Sequence, residues 1–257
     1  MNKDRISMRI EDFFKLHKEV AVAFSGGVDS AVLLLLSKKY ADRVEAYYVK
    51  SAFQPEFEYN DALKIAKMLD IKLNVISVDV LSDDTVVKNP ADRCYYCKKR
   101  VFAAIIASAA EDGFNTVLDG TNFSDDIDDR PGFRALSESG VLSPLRLCGY
   151  AKKDIRKIAR ENGLPVSDKP SYACLATRIP TNTVITKELL EKTEKAENIL
   201  FDLGFKNFRV RNLGSSAKLE LGREDFNLIF EKRDLTVKML SEFYENIYLD
   251  LKERADE

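Results

Sequence analysis

The sequence predicts a doubly wound α/β domain built on a parallel sheet, followed by a smaller C-terminal α+β domain. Three observations predict it. Short runs apolar on both faces alternate with helical patterns through the first 165 residues. One of those runs feeds straight into a glycine-rich turn that opens a helix. After Thr186 the alternation gives way to a long amphipathic helix and a strand pair. The expected domains are residues 1–180 and 181–257.

The strand candidates are Val20–Phe24, Val44–Val49, Leu73–Val78 and Thr116–Asp119, with helices near 29–39, 56–69 and 93–112 between them. Parallel strands joined by helices imply right-handed crossovers. Ligands in such folds sit beyond the carboxyl ends of strands. The turn Ser25–Ser30 and the tetrapeptide Asp119-Gly120-Thr121-Asn122 both fall at such ends. A helix over Lys152–Asn162 follows, closed by Gly163 with Pro165 beyond. Residues 166–186 lose periodicity and carry Pro170, Cys174 and Pro180, which reads as a functional loop. The second domain starts with a helix over Lys187–Leu203, capped by Gly204. Asn207–Arg211 and Ala217–Leu221 then read as an antiparallel pair joined by Asn212-Leu213-Gly214-Ser215. Helices are expected at about 223–231 and 234–252. Their apolar residues Leu228, Ile229, Phe230, Leu240, Phe243 and Ile247 would pack within the domain or against a second copy.

The turn reads Ser25-Gly26-Gly27-Val28-Asp29-Ser30. A helix start carries unpaired N–H groups and the positive end of a dipole. Two adjacent glycines let the backbone close on an anion with no Cβ in the way, and Ser25 and Ser30 add hydroxyls. This is a phosphate site. The Walker pattern needs four residues between its glycines and then Lys-Ser/Thr, which this turn lacks, and that argues against a P-loop kinase or GTPase.

Forty basic residues face 42 acidic ones, for a net charge of −2. That balance argues against a protein that grips a long nucleic acid by its phosphates. The N-terminus, Met1-Asn2-Lys3-Asp4-Arg5, reads as the lead-in to an amphipathic helix and not as a signal sequence. No apolar stretch approaches membrane-span length. The expectation is a soluble cytoplasmic protein.

In that compartment four cysteines are ligands, nucleophiles or core residues rather than disulfides. Cys94-Tyr95-Tyr96-Cys97 is a C-x-x-C at a helix start, with Cys174 far downstream. A zinc site lacks its second pair, and a thioredoxin-like motif would follow the first strand. Three thiolates would hold an iron–sulfur cluster with one iron open; two thiols packed at a helix start is the plainer alternative. Cys148 has apolar neighbours and reads as core. The single histidine, His17, reads as surface or interface packing, which removes triad chemistry and histidine-rich zinc sites.

The hexapeptide Ser25–Ser30 resembles the PP-loop of the ATP pyrophosphatases, which split ATP between its α- and β-phosphates. With Asp119–Asn122, Asp125-Asp126, Arg130-Pro131-Gly132, Ser143-Pro144-Leu145 and Ala173-Cys174-Leu175-Ala176-Thr177-Arg178, the chain resembles the LarE family of ATP-dependent sulfur transferases over nearly its whole length. The resemblance implies adenylation of a carboxylate of pyridinium-3,5-biscarboxylic acid mononucleotide and replacement of the activated oxygen by sulfur, in nickel-pincer cofactor biosynthesis. It implies two branches. In one, Cys174 gives up its own sulfur. In the other, Cys94, Cys97 and Cys174 hold a 4Fe–4S cluster that carries sulfide, and the three cysteines here match that branch.

On this resemblance Ser25, Gly26, Gly27, Asp29 and Ser30 take the ATP phosphates, with Asp29 on Mg²⁺ or capping the helix. Ala23 and Phe24 lead into that turn. Val49 and Lys50 hold adenine through backbone groups, and Gly120 and Thr121 border the ribose or α-phosphate. Arg178 and Arg209 bind the carboxylate or phosphate of the acceptor, with Arg211 a second candidate beside Arg209. Glu197 either helps hold a metal ion or lies on a solvated helix face. The partners would be a small nucleotide substrate, a sulfide source and further copies of the chain. The rival readings are a PP-loop tRNA thiolation enzyme with the same cluster chemistry, an ammonia-using ligase, and a non-catalytic sulfur or cluster carrier.

Overall fold

The computed structural model describes residues 8–126 and 131–254. Met1–Arg5 and Arg130 lie outside the described residues. In chain order the elements are α1 (Ile10–Leu16), β1 (Glu19–Ala23), α2 (Val28–Tyr40), β2 (Arg43–Lys50), α3 (Glu56–Met68), β3 (Leu73–Ser77), α4 (Asp84–Val87), α5 (Arg93–Glu111) and β4 (Val117–Leu118). They continue with α6 (Pro131–Glu138), α7 (Pro144–Leu147), α8 (Lys152–Glu161), α9 (Lys187–Asp202), β5 (Phe208–Leu213), β6 (Ser216–Leu221), α10 (Phe226–Glu231), α11 (Arg233–Leu240) and β7 (Asn246–Leu249).

The chain forms two compact units. The first comprises Met1–Ser51, Glu56–Asp79 and Asp92–Lys169. Its sheet has the order β3-β2-β1-β4, and every pairing is parallel. The α/β class expected from alternating apolar runs is the class observed. β1 is paired on both sides, and Val20, Ala21 and Val22 are wholly buried. α2 is an interior helix: Ala31, Val32, Leu33 and Leu34 have no exposed surface, so it needs no polar face along that stretch. The chain steps outward from β1 to β2 to β3, then returns to place β4 on the other flank of β1. The strand order therefore reverses between β1 and β4, and the crevice at their carboxyl ends is the expected ligand site of an open parallel sheet.

The second unit comprises Ala52–Pro55, Val80–Ala91 and Pro170–Glu257. Its sheet has the order β5-β6-β7. β5 and β6 run antiparallel through Leu213 and Ser216, so the connection is the two residues Gly214-Ser215 rather than the four expected. Gly214 sits at φ +68°, a value a glycine takes without strain.

One expected element differs. The helix anticipated over 234–252 ends at Leu240, and Asn246–Leu249 instead form β7, parallel to β6. Leu240, Phe243 and Ile247 carry helical spacing, which mimics one helix face. Within 246–249, however, exposed and half-buried residues alternate, the period of a strand. Leu228, Ile229, Leu240, Phe243 and Ile247 all pack in this unit's own core with Phe208, Val210 and Leu219, whereas Phe230 stays exposed.

Candidate active site

The turn after β1 folds back on itself through its two serines. Their Oγ atoms are 3.0 Å apart, and Ser30 Oγ also donates to Gly27 O at 3.1 Å and accepts from Ser25 N at 3.3 Å. Gly26 has φ +78°, and a Cβ there would stand 2.9 Å from Glu58 O, so glycine is required by both backbone and space. Gly27 is the N-cap of α2 and brings no capping side chain, which leaves the first N–H groups of the helix facing the crevice for an anion.

The second wall of the crevice is the segment after β4. A Cβ on Gly120 would lie 2.8 Å from Ser30 N, so the two loops touch backbone to backbone. Leu118 bridges Leu142 as a further parallel pair, which brings Ser143 beside Asp119. Asp119 accepts from Ser143 Oγ at 2.5 Å and from Thr121 N at 3.2 Å. Burial pushes its carboxyl up, against the pull of these bonds and of the Lys98 charge. The loop beyond is pinned by Arg146, whose Nη1 donates to Asn122 O at 3.2 Å and Asp125 O at 2.9 Å.

Asp29, in the first turn of α2, meets two residues from this wall. Lys152 Nζ lies 2.6 Å from its Oδ2, and Asn122 Nδ2 donates to its Oδ1 at 3.4 Å. Burial raises the Asp29 carboxyl above the usual carboxylate range, and Lys152 pulls the other way. Sequence reasoning missed Lys152. It opens α8 with no motif around it, and only the tertiary contact across 123 residues marks it.

Ala23 and Phe24 lead into the turn, and Phe24 N donates to Tyr47 O at 2.9 Å. The Phe24 and Val49 side chains are buried in the core. Lys50 O already accepts from Val78 N at 3.0 Å, and Lys50 Nζ pairs with Glu56 at 3.0 Å.

The second unit carries the Cys174 segment. Leu175–Arg178 form a short 3-10 turn with Cys174 as its N-cap. Arg178 and Glu197 form a buried ion pair. The Arg178 guanidinium is 0% exposed; its Nε and Nη2 donate to Glu197 Oε1 and Oε2 at 2.8 and 3.0 Å. Its Nη1 donates to Ala173 O at 2.6 Å, so all three nitrogens bond to protein oxygens. Burial opposes its charge, yet the Glu197 carboxylate outweighs burial and the net shift is upward. Glu197 is 1% exposed, which excludes the solvated face; it also accepts from Val210 N at 2.9 Å and from the Tyr172 hydroxyl.

Arg209 is buried too and donates to Phe208 O at 2.8 Å and Ser171 O at 2.7 Å, both uncharged. Burial and the like charge of Arg178 push it down to about 10. Arg211 pairs with Glu220 at 2.9 Å and donates to Thr177 O.

All four cysteines are thiols. Cys148 is buried, as expected, and burial pushes its thiol up to about 11. Cys94 and Cys97 are half-buried in the first turns of α5, three residues apart and so on one helix face, a fit for two thiolate ligands. Cys174 is half-buried in the second unit. Among the described residues, no group of three or more His, Cys, Asp or Glu side chains is arranged to hold a metal ion. The donor chemistry of Cys94 and Cys97 fits a thiolate-held cluster. His17 packs against Phe13 in a tilted ring pair, with centroids 4.6 Å apart. No described helix is long and apolar enough to cross a membrane.

Residues 19–89 match the family model of the queuosine biosynthesis protein QueC. An uncharacterised protein of Methanocaldococcus jannaschii is 31% identical over 248 residues, covering 96% of this chain and 95% of that one. Pyridinium-3,5-bisthiocarboxylic acid mononucleotide synthase of Lactiplantibacillus plantarum is 34% identical over 206 residues, 79% of this chain and 75% of the synthase. The chain belongs to the LarE family. As a LarE-family protein it is an ATP-dependent sulfur transferase, and the resemblance carried by Ser25–Ser30 and Ala173–Arg178 holds. The QueC match spans the β1–turn–α2 unit that LarE shares with other PP-loop enzymes. The tRNA-specific 2-thiouridylase MnmA of Thermotoga maritima is a more distant relative of this LarE-family chain, 26% identical over 197 residues, 59% of this chain and 54% of that enzyme.

Proposed function

We propose that this LarE-family enzyme adenylates a carboxylate of pyridinium-3,5-biscarboxylic acid mononucleotide and replaces the activated oxygen with sulfur. A carboxylate oxygen of the acceptor attacks the α-phosphorus of ATP, the bond to the β-phosphate oxygen breaks, and pyrophosphate leaves. A sulfur nucleophile then adds to the acyl carbon and AMP departs, giving the thiocarboxylate. The similarity to the pyridinium-3,5-bisthiocarboxylic acid mononucleotide synthase of Lactiplantibacillus plantarum supports this acceptor.

The observation that carries the ATP half is the approach of Gly120 to Ser30 N, with Asp29 and Lys152 beside it at the strand-order reversal. Backbone N–H groups of Gly26, Gly27 and the start of α2, with the Ser25 and Ser30 hydroxyls, would take the phosphates. Asp29 would hold Mg²⁺, which supplies charge neutralisation to the departing pyrophosphate. Lys152 would turn from Asp29 to the same phosphates. Ala23, Phe24, Val49 and Lys50 would border adenine, and Gly120 and Thr121 the ribose or α-phosphate. Arg209 and Arg211 would bind the acceptor; the buried Arg209 guanidinium, whose partners Phe208 O and Ser171 O are uncharged, supports an anionic ligand.

Cys174 would bear the sulfur. Cys94, Cys97 and Cys174 would hold a 4Fe–4S cluster, which when bound supplies sulfide on an iron without a protein ligand. The second domain, from about residue 181, would serve acceptor binding and assembly into a homo-oligomer. Cysteines kept as thiols fit a reducing, cytoplasmic setting.

The test is a set of variants assayed anaerobically with ATP, the mononucleotide and sulfide. Cys174→Ala abolishes thiolation and retains pyrophosphate release. Ser30→Ala and Asp29→Ala lower pyrophosphate release by about a hundredfold or more. Thiolation surviving in Cys174→Ala would falsify the cysteine assignment, and unchanged pyrophosphate release in the other two would remove the ATP assignment.

A further inference from the structure

We propose that Arg178 and Glu197 are positioning residues for Cys174: they hold the cysteine's own backbone and do not meet the acceptor. This rests on the reading of Cys174 as the sulfur-bearing residue and adds what fixes it in place. The two-pronged contact with Glu197 occupies Nε and Nη2 of Arg178. The remaining nitrogen, Nη1, donates to Ala173 O at 2.6 Å, to Cys174 O at 3.3 Å and to Thr177 Oγ1 at 2.9 Å. Thr177 Oγ1 in turn donates to the same Cys174 carbonyl at 2.8 Å.

Glu197 ties this cluster to regular structure. It lies within α9 and accepts Val210 N from β5. It also accepts the Tyr172 hydroxyl, and the Arg178 guanidinium lies 4.3 Å from the Tyr172 ring centre. Residues 172, 173 and 174 are thus each bonded to Arg178 or Glu197. On the other side Leu175 N donates to Phe53 O at 2.9 Å. The segment has no periodic structure of its own before the 3-10 turn, so these contacts supply its order.

A buried ion pair contributes little net stability compared with apolar residues of the same volume. What it does provide is orientation, because the planar guanidinium fork fixes both partners. Sulfur transfer needs that orientation, since misplacement of a reacting group by about 1 Å costs about a hundredfold in rate. An acceptor carboxylate reaching Arg178 would have to displace Glu197 or three oxygens of the Cys174 turn.

Arg178→Lys keeps the charge and removes the fork; Thr177→Ala removes one bond to the Cys174 carbonyl and serves if the first variant fails to fold. Each full-length variant is assayed for thiocarboxylate formed per pyrophosphate released, for the acceptor KM, and for the rate at which iodoacetamide labels Cys174 by peptide mass spectrometry. The expected result for Arg178→Lys is a ratio lower by about tenfold or more, a KM within about twofold, and labelling faster by about threefold as the segment opens. Thr177→Ala shifts the ratio and labelling in the same directions, by about threefold. A KM raised about tenfold with labelling unchanged would assign Arg178 to the acceptor instead. Unchanged ratio and labelling in both variants would make the contacts incidental. Should Cys174→Ala itself still thiolate, the sulfur assignment fails, while the labelling rates still score the positioning of residue 174.

Discussion

Lys152 Nζ and Asp29 Oδ2 lie 2.6 Å apart, each side chain about a quarter exposed. The pair joins the first turn of α2 to the first turn of α8, so an ammonium group from a second helix meets the Asp29 carboxylate. A phosphate chain entering the crevice would compete with Asp29 for Lys152 and bring Mg²⁺ to Asp29 in exchange.

The pH dependence of pyrophosphate release tests this pair. In the proposed site Asp29 would have to be ionised to hold Mg²⁺, and burial has raised its carboxyl above the usual range while Lys152 pulls it down. Release therefore falls on the acid side as pH drops through that raised value. In Lys152→Met the opposing charge is gone, the carboxyl rises further, and the acid limb moves to higher pH. Read from kcat/KM, which reports the enzyme before ATP binds, an acid limb at the same pH in Lys152→Met would show that the two groups are not coupled.

Gly120→Ala forces a Cβ to within 2.8 Å of Ser30 N, a contact with backbone that no side-chain rotation relieves. The expected result is loss of pyrophosphate release by about a hundredfold. Gly140→Ala is the control: that glycine is exposed, with φ +70° and nothing within 4 Å. It costs about 1 kcal/mol of stability and leaves release unaltered. Equal activity in the two variants would mean that the crevice is not the ATP site.

Thiol labelling separates the four cysteines. After treatment with chelator and reductant, Cys94, Cys97 and Cys174 are half-buried and label with iodoacetamide at pH 8. Cys148 lags far behind, because burial holds its thiol near 11 and the thiolate is the reactive form. Its rate climbs about tenfold per pH unit until that value is reached. Early labelling of Cys148 would show that the core around α7 opens readily.

Transfer RNA should bind weakly. With 40 basic against 42 acidic residues, the chain lacks the surplus charge that drives non-specific phosphate binding. Titration with bulk tRNA near physiological salt is expected to give no complex tighter than about 10 µM. Tight, salt-sensitive binding would instead bring this chain's acceptor towards that of the MnmA relatives.

Much of the fold is legible in the sequence because its signals are local. Ala31–Leu36 announces an interior helix, and the glycine pair after Val20–Phe24 announces an anion turn, each from a few adjacent residues. β7 was hidden because Leu240, Phe243 and Ile247 carry helical spacing across the true helix end. In the site, Ser25–Ser30 and Gly120 were legible as strand-end loops. Lys152 was not, since a lysine at a helix start reads as solvated until its partner is known. Glu197 reads the same way from its neighbours, yet it is buried beneath three donors.

By itself the sequence determined the α/β class, the alternation of strands and helices that carries the parallel sheet, the glycine-rich turn that opens α2 and the cysteine set, all of which follow from hydrophobic period and short-range residue choice. Only the tertiary structure decided that β4 lies beside β1, that Lys152 meets Asp29, and that Arg178 is spent on Glu197 and the Cys174 turn. Those are pairings between residues distant along the chain, and a charged side chain carries no local mark of whether water or another residue will neutralise it.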